Sequence, residues 1–123
     1  MLRTSKFISL AVGLLLGILS QLSLANSVRI YVLSADEWSR PRAGVVIPEL
    51  ASVRSAVSYW DNTSDSRIII RYPGEDSGEI WASELRDWLI SLGIPSDYII
   101  LVSGSQAADE IKIHVGSRND LGL

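Results

Sequence analysis

The chain has 123 residues, of which 47% are hydrophobic, with 11 Lys/Arg against 14 Asp/Glu for a net charge of −3 and no cysteine. An acidic chain without a basic cluster lacks the electrostatic footprint of a nucleic-acid binder or of a protein held on anionic lipid. Without cysteine there is no disulfide framework, thiolate nucleophile or zinc–cysteine site, so the fold must stand on packing alone.

The first 25 residues read as an export signal. Arg3 and Lys6 precede an apolar run from Phe7 to Leu19, and Ser23-Leu24-Ala25 supplies the small residues of a cleavage site. The run is short and wrongly flanked for a stable span; an uncleaved anchor is the competing reading. Removal of this segment takes two of the 11 basic residues and none of the 14 acidic ones, giving 9 − 14 = −5. About 98 residues then remain, enough for one domain with one core. The expected organisation is a signal peptide over 1–25, a single domain over 26–115 and a flexible tail over 116–123. The expected location is the periplasm, with no membrane span after cleavage.

Within the domain, "VRIYVLS" (28–34) carries apolar residues on both alternating faces, the pattern of a buried strand. "ADEWSRPRAGVV" (35–46) reads as an irregular loop, punctuated by Arg40-Pro41-Arg42 and Gly44. Pro48 opens a helix to about Trp60, with Leu50, Val53, Val57 and Trp60 forming one stripe. "DNTSDS" ends it by offering side chains to free carbonyls, and Asn62-Thr63-Ser64 is formally a glycosylation sequon. "RIIIRY" (67–72) has the continuous apolar run of a strand covered on both faces.

A second helix runs from Ser77 to Leu92, and its apolar face should hold Ile80, Trp81, Leu85, Trp88, Leu89 and Leu92. Gly93 is placed for the left-handed turn that ends a helix, and Pro95 prevents its resumption. "YIILV" (98–102) is a third strand. "EIKIHV" (110–115) alternates strictly, as does a strand with one wet face near a sheet edge. The short link "SGSQAAD" suits an antiparallel hairpin between these last two. The order β-α-β-α-β-β implies an α+β two-layer sandwich: a mixed sheet of about four strands with both helices on one face.

Chemistry-bearing residues are few. His114 is the lone histidine and shares the wet face of its strand with Glu110 and Lys112, without the second ligand a metal site needs. Glu75, Asp76 and Glu79 could form a cation site or an acid–base pair. The more economical reading makes Asp76 a helix cap with Glu79 in a capping-box arrangement. Trp38, Arg40 and Arg42 offer an aromatic platform beside two guanidiniums, and with Glu75 and Asp76 they form the candidate recognition surface. The alternative is that Trp38 folds back over the core. No metal, cofactor or catalytic group is indicated.

"DWLISLGIPSDYI" (87–99) resembles the second helix and following strand of the OmpA-like, peptidoglycan-associating domain family. The likeness covers about Arg67 to Val115, and Val28 to Trp60 more loosely. It implies a two-layer fold in the periplasm and either an envelope protein or peptidoglycan as partner. In that family an aspartate after the second strand and an arginine early in the second helix hold the diaminopimelate of the peptide stem. Here "RYPGED" replaces the aspartate motif, with Glu75 or Asp76 nearby, and the arginine position falls on Trp81. The resemblance therefore implies a non-enzymatic envelope protein acting as an accessory or protein-binding component. The alternatives are a peptidoglycan module with a modified site or, more remotely, a carboxylate-based glycan hydrolase.

Overall fold

A computed structural model describes residues 27–40 and 46–123. The expected signal peptide and Arg42 lie outside the described residues. Among them, the chain forms β1 (Arg29–Ser34), α1 (Ala35–Trp38), α2 (Val46–Glu49), α3 (Ala51–Asp61), β2 (Ser66–Tyr72), α4 (Asp76–Ser91), β3 (Ile99–Ser103) and β4 (Glu110–Ser117). The architecture is an α+β two-layer sandwich with a mixed four-stranded sheet in the order β1-β4-β2-β3.

Register explains the core. Tyr31, Ile113, Ile70 and Leu101 form one row across the sheet, and Val115, Ile68 and Ile99 form a neighbouring one. These side chains share the face on which α3 and α4 pack. Val53 and Ala56 of α3 and Trp81, Ala82, Leu85 and Leu89 of α4 complete the buried cluster. Burial of a stripe from each helix against one sheet face is the main source of stability for a domain this small.

Three expectations about the sheet need correction. The last two strands do not pair as a hairpin: β4 lies between β1 and β2, antiparallel to both, and β3 pairs parallel to β2 at the other side. The residues after β3 instead cross the end of β2, where the Gly104 and Ser105 N–H groups both donate to the Tyr72 carbonyl (2.9 and 3.1 Å). Nor is β4 near an edge. Its alternation reports one uncovered face, and a strand in the middle of a one-sided sheet shows the same pattern as an edge strand. Conversely, β1, expected to be buried, is an outer strand with Ile30 and Val32 54% and 46% exposed. Ile69 of β2 is buried although no helix covers its face, because His114 and Ile100 flank it in the same row.

The expected first helix is two, interrupted at Leu50, whose extended backbone (φ −58°, ψ 127°) breaks the hydrogen-bond ladder. Its buried positions are Val53 and Ala56, with Leu50, Val57 and Trp60 half-buried against the core. As expected, its C-terminal carbonyls are satisfied by side chains: Asn62 Nδ2 donates to Ser58 O (2.8 Å), Thr63 to Tyr59 O (2.6 Å) and Ser66 to Trp60 O (2.7 Å).

In α4 the buried positions are Gly78, Trp81, Ala82, Leu85 and Leu89. Ile80 was expected inside but is 62% exposed, since one residue of helical rotation carries it about 100° from Trp81. Trp88 is half-buried and Leu92 exposed. The helix ends as the sequence requires. Gly93 (φ +105°) donates to Ile90 O and Ile94 donates to Leu89 O (3.0 and 3.1 Å), the paired bonds of a Schellman cap. The last strand continues past Val115 to Ser117, and Leu121 N–H then donates to Ser117 O (3.0 Å).

Candidate functional site

The parallel pair β2–β3 sets one end of the sheet apart. At that end the chain leaves β2 through Pro73-Gly74, enters α4, and later crosses back between β3 and β4. Gly78 is required there because a Cβ would stand 2.0 Å from the Pro73 carbonyl oxygen. That close approach brings the first turns of α4 down onto the strand end.

Two adjoining depressions result, sharing Pro73 and Ala108. One, of about 340 Å³, is lined by Trp38, Ser77, Gly78, Ile80, Trp81 and Glu84 among others. The second, of about 320 Å³, is lined by Glu75 and by Gly104 to Ala108. Ser105 is buried in its floor, where its hydroxyl donates to Ala107 O (2.7 Å) and holds the connection in shape.

The candidate recognition residues divide on this geometry. Trp38 is not displayed on a loop: it ends helix α1, is 7% exposed, and meets Trp81 with ring centroids 6.2 Å apart and planes tilted by 35°. That helix forms because Ser34 caps it, accepting from Glu37 N–H (3.2 Å). The rings form a wall of the cleft and not an open stacking platform. Glu75 reaches the adjoining depression, so Trp38 and Glu75 do come to the same end of the sheet. Arg40 instead turns to Asp36 (3.8 Å), both side chains largely in solvent.

Asp76 is exposed in the first turn of α4. The expected capping box is absent, because the N-cap is Glu75 and its side chain makes no capping bond. Asp76 and Glu79 share that first turn, so they do not face each other across a cleft as a carboxylate pair would for glycan hydrolysis. Among the described residues no group of three His, Cys, Asp or Glu is arranged to hold a metal ion. No described helix is long and apolar enough to cross a membrane.

A second surface was not anticipated. On the face opposite the helices, Ile30, His114, Ile69 and Ile100 form one row, and Val32, Lys112, Arg71 and Val102 the next. No described element covers it. On this face the exposed apolar side chains lie on β1, Lys112 and Arg71 bring positive charge from β4 and β2, and Glu110 stands at the start of β4, in a chain that is acidic as a whole. His114 Nε2 is buried there without a hydrogen-bond partner, and its pKa is lowered by desolvation and then by Arg71 and Lys112. The two-sided apolarity of 28–34 was the sequence's trace of this surface: its second face stays bare. Neither protein-family models nor curated proteins give a match to the chain.

Proposed function

We propose that this is a small exported, non-enzymatic cell-envelope protein that binds another envelope protein through the bare face of its sheet. The observation that carries the reading is the uncovered row structure around Ile30 and Val32, about half exposed, beside Arg71 and Lys112. Apolar exposure of this kind on a small domain marks an interaction surface, and the adjoining positive charge selects a partner with apolar residues flanked by carboxylates. Export is supported by the basic, apolar and small-residue succession over 1–25. The OmpA-like reading is supported by the strand and helix order and by the Gly93-Ile94-Pro95 junction.

The test is a photo-crosslinking residue at position 30 in the native envelope. A discrete adduct with an envelope protein, lost in Val32→Asp with the fold intact, is the expected result. No adduct, or one indifferent to Val32→Asp, would overturn the surface assignment. Recovery from the cytoplasm with residues 1–25 attached would remove the compartment.

A second reading, peptidoglycan binding at a modified site, is favoured by the meeting of Trp38, Trp81 and Glu75 at one end of the sheet. Trp81 cannot make the forked carboxylate contact of an arginine, so a stem peptide would have to be held differently. Retention by isolated sacculi at low salt, lost on Trp38→Ala, is the expected outcome; no retention ends this reading.

A further inference from the structure

An open depression of about 670 Å³, lined mostly by exposed side chains, lies on the helix side of β1, away from the bare sheet face and from the Trp38 cleft. Arg29 and Tyr31 of β1 form one wall; Arg54, Ser55, Ser58 and Tyr59 of α3, with Asn62 just past its end, form the other. The lining contains two guanidiniums and no carboxylate. Among the described residues neither Arg29 nor Arg54 has an ion-pair partner, nor do Arg71 and Arg118, whereas Arg40, Arg67 and Arg86 each stand beside an aspartate.

One of the two cations is held in advance. The Arg29 guanidinium lies over the Tyr59 ring, 4.5 Å from its centroid, and the Tyr59 hydroxyl donates to the Ser27 carbonyl. Stacking occupies the face of the guanidinium and leaves its in-plane N–H donors for a ligand. Arg54 supplies a second positive charge from the helix. Asn62 is oriented by its bond to Ser58 O (2.8 Å), which leaves the second N–H of its amide to donate. Hydroxyls of Tyr31, Ser55 and Ser58 add neutral donors.

The geometry points to an oxyanion-binding site in this open depression, taking a small ligand with a phosphate or two carboxylates. Two guanidiniums match a dianion, a planar fork matches an oxyanion's paired oxygens, and the acidic remainder of the chain offers no competing internal anion at these positions. The recognising chemistry is the same for a phosphoester and for a dicarboxylate, and the probes below separate them.

The test is an amide-resolved NMR titration of the full mature chain with inorganic phosphate and, separately, with succinate, at constant ionic strength against sodium chloride. Saturable shifts at Tyr31, Ser55, Tyr59 and Asn62 are expected with at least one probe. Phosphate alone would assign a phosphoester ligand, and succinate alone a dicarboxylate. Arg54→Gln should weaken the effective probe about tenfold or more, the size expected for losing a charge-assisted hydrogen bond, while Arg86→Gln leaves it unchanged. Absence of saturation with both probes, shifts reproduced by chloride, or equal binding by Arg54→Gln would each overturn the assignment. The site stands independently of the protein-binding surface, and its failure would leave that surface untouched.

Discussion

His114 shows how a single side chain acquires a property that its sequence position hides. Its ring sits partly desolvated between Ile30 and Ile69, with Arg71 and Lys112 in the next row, so protonation would place a third cation on this face. Its pKa is therefore lower folded than unfolded. As pH falls below the ordinary histidine value, the unfolded chain takes up the proton first, and stability falls. Urea midpoints for the native chain should drop between about pH 8 and about pH 5 by more than those of His114→Gln. Equal slopes would show that other groups carry the dependence. Gly78 makes the opposite kind of point, since its constraint is contact and not charge. Gly78→Ala should destabilise by about 1–3 kcal/mol, because the added Cβ must displace the Pro73 backbone.

At the scale of elements, helix faces and strand positions set what each substitution costs. Leu89 is fully buried on α4 and Trp88 only partly, so Leu89→Ala should cost about 2–5 kcal/mol and Trp88→Ala less than the 3–5 kcal/mol range of a fully buried tryptophan. The reverse order in equilibrium unfolding would mean that the helix is rotated. Strand placement gives a parallel comparison. Ile113 of β4 is fully buried between two neighbouring strands and Ile30 of β1 is half exposed. Ile113→Ala should therefore cost about 2–5 kcal/mol, and Ile30→Ala less than about 1 kcal/mol. A docking role for β1 requires this contrast: side chains that are apolar yet matter little to folding.

The whole molecule depends on its last strand. β1 and β2 touch no common strand except β4, so the first strand has no sheet partner until the C-terminal residues arrive. Pairing over so long a separation carries a loop-closure cost that local contacts cannot offset early, and the domain should close late. A chain ending at Asp109 should lack a cooperative unfolding transition by circular dichroism. Retention of one would mean that β2, β3 and the helices form a core of their own.

Local chemistry was legible before any fold was known. Gly93 and Pro95 fix the end of α4 because a left-handed cap and a missing N–H act within a few residues, and the polar run after Asp61 serves its carbonyls for the same reason. The alternating and continuous apolar runs likewise specified the strands and the fold class, and two of the candidate recognition residues, Trp38 and Glu75, come to the same end of the sheet. Partner choice among strands was not legible. Alternation states how many faces are covered and says nothing of which strand lies alongside, so β4 read as an edge and β1 as an interior strand. The capping box and the inward Ile80 failed because they depended on where the helix starts and how it is turned about its axis, and Trp38 took the alternative of folding back over the core. The sequence alone determined the elements, their ends and the absence of cysteine chemistry, all short-range or compositional properties. Only tertiary structure decided which face stayed bare and where Arg29 meets α3, because those follow from contacts between residues far apart in the chain.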